Sequence, residues 1–284
     1  MTRIPLDNES IVRDYLQRKK RKKAQLTIYS YSKTLGKFFK DCPKRIADLT
    51  QDDVFEWLEN YYGGAKPATI RNRISILSAF FTYCTEEKLI DYPLINPWWN
   101  PRLPKTLPKA LDKDDMSRVM VQAEEMSLRD RTIIEFLRSS GARRAEASGL
   151  RVKHFNLDEL SAKVLGKGNK WGELHFSCEC CELLRQLIPK DAKPEGGVFL
   201  NRFGKPLSAR AIYNITAKAG MDAKIPGKLG PHKLRHTFAT ILLSNGADYN
   251  FIADELRHAN LRNVHRYASL MDDAKILMYR RFMG

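Results

Sequence analysis

Five prolines divide this chain. Pro93, Pro97, Pro101, Pro104 and Pro108 fall within YPLINPWWNPRLPKTLPKA, residues 92–110, and make up five of the 13 prolines in 284 residues. Proline fixes φ and has no backbone N–H, so one every three or four residues forbids a helix and favours a stiff, extended connector. The length suits about two ordinary domains. The expected division is therefore residues 1–91, a linker over 92–110, a second domain over 111–271 and a tail over 272–284.

Apolar residues recur at helical spacing before the linker, from Ile11 to about Lys20, Leu26 to Phe39, Val54 to Tyr62, and Ile70 to Leu89. Thr50 followed by Gln51, Asp52 and Asp53 is an N-cap signal, and Pro67 stands where a helix could begin. This half reads as a bundle of four or five helices. Beyond the linker, Asp112 and Ser127 are plausible N-caps for helices over 113–126 and 128–140, the second stopped by Gly141. Residues 154–177 hold short apolar runs separated by Asn-Leu-Asp and Gly-Lys-Gly-Asn, the pattern of a small antiparallel sheet with a glycine turn. Helical patterns resume at 178–188, 208–220, 231–245, 248–257 and 260–268, with a last amphipathic piece at 272–282. The expected fold class is mainly α, with one small antiparallel β-sheet in the second domain.

A hydrophobic content of 43%, with 10% aromatic, excludes disorder as the global state. No apolar stretch approaches a membrane span, and the start, MTRIPLDNES, lacks the apolar core of a signal peptide, so a soluble cytoplasmic protein is expected. The five cysteines are an odd set with three in one tetrapeptide, which points to a reducing compartment. Cys178, Cys180 and Cys181 with His175 lack the second limb of a zinc site and read as buried or half-buried helix cysteines. The 49 Lys+Arg against 33 Asp+Glu give a net charge of +16. The excess is even: 20 basic and 12 acidic residues over 1–109, and 29 and 21 over 110–284. Both halves call for a polyanion. Duplex nucleic acid is the default, with tRNA, ribosome or an anionic membrane as further candidates. The KKRKK run at 19–23, with Lys66, Arg71 and Arg73, reads either as part of that surface or as a solvated face.

Chemistry on a phosphodiester needs cationic forks for the non-bridging oxygens, a nucleophile, and a donor for the leaving oxygen. In SSGARRAEASGL, Arg143 follows a helix-ending glycine with Glu146 three residues on as a brace; alone, the segment reads as a surface Arg–Glu pair. GKGNK at 166–170 presents Lys167 between two glycines, and it is not a nucleotide-binding Walker loop. PHKLRHTFATILL sets His232 and Arg235 on one helix face near the positive end of the helix dipole, although packing alone also explains such a pair. DELRHANLRNVHRYASL offers His258 and then Tyr267, flanked by His265 and Arg266; a half-buried tyrosine with a satisfied hydroxyl is the bland alternative.

In order, G-A-R-x-x-E, G-K-G-N-K, H-x-L-R-H-T-F-A-T and L-x-H followed nine residues later by Tyr resemble the tyrosine recombinase (phage integrase) family, most closely its Xer members. The likeness spans the whole chain. It implies a SAM-like, helical core-binding domain, a proline-bearing linker and a catalytic domain that together clamp duplex DNA. It further implies that Arg143 and Arg235 grip the scissile phosphate, Lys167 protonates the departing 5′ oxygen, and His232 and His258 assist. Tyr267 is then the nucleophile that forms a 3′-phosphotyrosyl bond, with Glu146 bracing Arg143. Neither ATP, metal nor other cofactor is implied, because the phosphotyrosyl bond conserves the energy of the broken one.

The resemblance also implies four protomers on two duplexes, with the tail docked on a neighbouring protomer; docking in cis is the alternative. The roles it suggests are resolution of chromosome or plasmid dimers, or integration of a mobile element. The different-class alternatives are a non-catalytic architectural DNA-binding protein and a basic RNA-binding protein. Arg257 stands where the family has glycine in L-G-H, and Arg144 beside Arg143 blurs the register. Lys170 is the fallback for Lys167, and Tyr279 for Tyr267.

Overall fold

A computed structural model describes residues 7–257 apart from 22, 63, 104–109 and 167–168. The chain divides into two compact units, Met1–Lys105 and Thr106–Gly284.

The first unit is built from α1 (Asn8–Lys20), α2 (Gln25–Asp41), α3 (Gln51–Tyr62) and α4 (Pro67–Glu86). Local signals set their ends. The Asp7 carboxylate accepts from Ser10 N at 2.7 Å, and Thr50 and Asp53 exchange side-chain-to-backbone hydrogen bonds across the start of α3. Pro67 opens α4, where its missing N–H costs nothing. Arg18, Lys19 and Lys20 crowd the last turn of α1, the negative end of its dipole. α1 packs on α2, and α2 and α3 both pack on α4, around the buried rings of Tyr15, Phe38, Trp57, Phe80 and Phe81. Phe38 meets Trp57 edge-on at 5.2 Å, the favoured arrangement for aromatic rings.

This core runs past the expected boundary at residue 91. Leu94 and Ile95 are buried in it, and the Trp99 ring lies 5.1 Å from that of Phe55. Among the described residues the prolines leave no α-helix here, only a 3-10 turn over Pro97–Trp99, and they do not stop the side chains between them from packing. Residues 94–99 are accordingly part of the first unit and not free connector.

Within the second unit, Leu111 N–H donates to Thr237 Oγ1 at 2.8 Å. α5 (Lys113–Glu124) and α6 (Leu128–Ser140) begin at the expected caps, Asp112 and Ser127. α6 is the central helix: Ile133, Ile134, Phe136 and Leu137 are fully buried, and it packs against α5, α8, α9 and α10. After the five-residue α7 (Arg144–Ser148) come β1 (Phe155–Asn156), β2 (Ser161–Leu165) and β3 (Trp171–His175). They form an antiparallel sheet in that order, with Leu165 opposite Trp171 at the closing turn. α8 (Cys178–Leu187), α9 (Ala209–Asp222), α10 (Pro231–Ser244) and α11 (Tyr249–Glu255) follow. The mainly helical fold with one small antiparallel sheet is as the sequence indicates. α7 was not foreseen, and α11 stops two residues short of the expected 257. The helices expected at 260–268 and 272–282 lie outside the described residues. Among the described residues, no helix is long and apolar enough to cross a membrane.

Candidate active site

α6 ends at Gly141, whose φ of 59° lies in the left-handed region that favours glycine. A Cβ there would lie 2.5 Å from Cδ1 of Phe238 on α10. The bare glycine therefore lets the end of α6 approach the helix that carries His232 and Arg235. The chain then turns so that Arg143 sits at the N-cap of α7.

Glu146, 3% exposed, holds Arg143 twice: Oε2 accepts from its backbone N–H and Oε1 from Nη1, each at 2.7 Å. Such charge-assisted bonds fix a long side chain that would otherwise sample many rotamers. Arg143 Nη2 donates to the carbonyls of Leu256 and Arg257, both at 3.3 Å. The adjacent Arg144 is exposed. Arg235, 3% exposed, donates Nη1 to the Gly141 carbonyl at 2.6 Å and Nη2 to the Leu256 carbonyl. Arg143 and Arg235 thus converge on one carbonyl at the C-terminal end of α11. These anchors do not exhaust the N–H donors of Arg143, which is still partly exposed.

His232 lies one turn before Arg235, in the opening turn of α10 behind Pro231. It is solvent-accessible, yet the protein around it removes part of its water, and this, with the positive charges of Arg235, Arg144 and Arg143, lowers its pKa below the ordinary 6.5. A neutral ring is the consequence at neutral pH. The site therefore joins two fixed guanidinium groups to an imidazole with one N–H donor and one acceptor nitrogen. That is equipment for binding an oxyanion and moving a proton beside it.

Lys167, His258 and Tyr267 lie outside the described residues, as do Tyr279 and the 272–284 tail. Of their chain neighbours, the residue before Lys167 and the residue before His258 are described. Gly166 N donates to the Lys170 carbonyl at 2.8 Å across the base of the hairpin turn that contains Lys167, and Lys170 itself is exposed. Arg257 directly precedes His258. In α8, Cys180 and Cys181 are buried and Cys178 is exposed; burial pushes the Cys180 thiol well above its usual range. Among the described residues, no group of three or more His, Cys, Asp or Glu is disposed to hold a metal.

Arg257, which the resemblance marks as an extra cation beside His258, makes contacts that were not legible in the sequence. Arg257 Nη2 reaches Glu146 Oε2 at 2.7 Å and its Nη1 reaches the Glu173 carbonyl on β3 at 3.1 Å. The sequence marks Arg257 as unusual but carries no signal for where its guanidinium goes.

Two family models match the chain: "Phage integrase family" over residues 109–273 and "Phage integrase, N-terminal SAM-like domain" over residues 13–88. The tyrosine recombinase XerC of Salmonella typhi is 31% identical over 212 residues, covering 73% of this chain and 71% of that protein. XerC of Pseudomonas syringae pv. syringae is 28% identical over 264 residues, covering 89% and 88%. Among solved structures, the XerH site-specific recombinase bound to a palindromic difH substrate, in a post-cleavage complex, superposes with a TM-score of 0.75 at 24% identity, covering 90% of this chain and 80% of that one. With both family models matched and a relative above 30% identity across most of its length, the chain belongs to the phage integrase family, as a site-specific tyrosine recombinase of the Xer type.

Proposed function

We propose that this protein cuts and rejoins duplex DNA at a specific recombination site, in the Xer role of resolving chromosome or plasmid dimers. The Tyr267 hydroxyl oxygen attacks the scissile phosphorus. A P–O(Tyr) bond forms as the P–O5′ bond breaks, leaving a 3′-phosphotyrosyl link and a free 5′ hydroxyl. The phenol proton passes to His258 or His232, and Lys167 supplies a proton to the departing 5′ oxygen. Attack by the 5′ hydroxyl of the other strand reverses these steps and releases Tyr267. One P–O bond is exchanged for another at each stage, so no nucleotide hydrolysis is called for.

Arg143 and Arg235 bind the non-bridging oxygens and stabilise the charge that grows on the pentacoordinate phosphorus. Preorganised cations of this kind contribute on the order of 10²–10³ in rate each. Glu146 keeps Arg143 in place. The observation that carries this reading is the meeting of the two guanidinium groups at Leu256, beside an imidazole held neutral. The buried anchors argue for fixed positions before substrate arrives, which is what electrostatic catalysis demands.

The first unit is taken as the core-binding domain, and the residues matched by the catalytic family model, 109–273, as the catalytic domain, each contributing basic surface to the same duplex. A tetramer on two duplexes, with residues 272–284 docked on a neighbouring protomer, completes the assembly. The test is a nicked suicide duplex that loses its 5′-hydroxyl fragment after cleavage. A denaturation-resistant protein–DNA adduct is expected in EDTA without nucleotide, and it should disappear in Tyr267→Phe, which still binds the duplex. A full yield of adduct from Tyr267→Phe would overturn the assignment.

A further inference from the structure

Arg257 adopts a φ of 48°, a conformation that side-chain-bearing residues rarely take. Its neighbours are arranged around it. A Cβ at Gly172 on β3 would lie 2.5 Å from Arg257 Cδ, so the stem of Arg257 crosses β3 where no side chain stands. Its guanidinium then bridges the Glu173 carbonyl of β3 and Glu146 on α7, the carboxylate that also holds Arg143. Glu146 divides its oxygens between the two cations: Oε1 takes Arg143 Nη1, and Oε2 takes Arg257 Nη2 and the Arg143 backbone N–H. At the far end of β3, His175 meets Glu255 of α11 at 3.0 Å. Burial lowers the pKa of Arg257, and Glu146 partly offsets this.

We propose that Arg257 is a positioning residue for strand cleavage, latching β3 of the β2–β3 hairpin to Glu146, the carboxylate that also braces Arg143. The latch rests on the reading of Lys167 as the general acid. The bridge from β3 to the buried Glu146 ties the strand that leaves the turn, at the edge of the three-stranded sheet, to α7. The bonds of Arg143 to Glu146 and to the Leu256 carbonyl do not use the Arg257 side chain. Loss of the latch should therefore impair proton delivery while sparing the phosphate clamp.

The experiment compares single-turnover adduct formation on two nicked duplexes, one ordinary and one with sulfur in place of the bridging 5′ oxygen. A thiolate leaves without a proton, so sulfur rescues a defect confined to the general acid. Arg257→Ala should slow the ordinary substrate by about tenfold or more and regain most of that loss on sulfur, with duplex affinity unchanged. Gly172→Ala, whose methyl displaces the Arg257 stem, should reproduce the pattern, and Arg257→Lys should restore only part of the rate, because one ammonium cannot serve Glu146 and Glu173 as the fork does. Equal slowing on both substrates, or no slowing, overturns the latch. Lys167→Ala is the reference: if sulfur fails to rescue it, the general-acid reading falls separately. The latch is then judged by amide hydrogen exchange in β3, which must quicken in Arg257→Ala; unchanged exchange overturns it.

Discussion

Gly141 and His232 illustrate how single residues set this site. Gly141 meets two independent demands, a positive φ and contact with Phe238, and satisfying both brings the α6 end to the helix carrying Arg235. His232 is solvent-accessible but sits among three arginines. Its folded pKa is depressed, so its contribution to stability is present above the unfolded value and lost as pH falls through the folded one. An NMR titration of the His232 ring should give a midpoint below 6.5, and Arg144→Ala, which removes one of the lowering charges, should move it up. A midpoint that ignores Arg144 would contradict the electrostatic account. The positions of Arg143, Glu146, His232 and Arg235 were readable because each pair is three residues apart on a local turn. The reach of Arg257 was not, because a contact spanning 111 positions leaves no local pattern.

At the scale of elements, most helices followed from periodicity and caps, since Asp112, Ser127 and Thr50 all accept the hydrogen bonds their positions suggest. α7 escaped because five residues are too few to show a period. The proline-rich stretch misled in a different way: proline constrains the backbone and says nothing of whether Leu94 finds a core. Leu94 is 2% exposed within the first unit. Leu94→Ala in the full chain should destabilise that unit by about 2–4 kcal/mol in urea denaturation, the cost of a core truncation. A loss within about 0.5 kcal/mol, as at a solvated linker position, would restore the connector reading.

For the whole molecule, +16 on 284 residues foretold a polyanionic partner but not its use. The structure separates Arg143 and Arg235, buried or braced within a site, from cations such as Lys66 and Arg71 that stand exposed. Phosphate contacts release counterions, so affinity for duplex DNA should fall linearly on a log–log salt plot, losing about 10³–10⁵ between 50 and 200 mM if roughly 6–10 contacts form. A flat dependence would deny the charge that role. The catalytic claim is tested most directly by identifying the residue that holds the DNA. The covalent adduct from a nicked duplex, trimmed by nuclease and protease, should yield one nucleotide-bearing peptide with the modification on Tyr267 when mapped by mass spectrometry. Modification of Tyr279 or any other residue, or no modified peptide from an active preparation, would contradict the account.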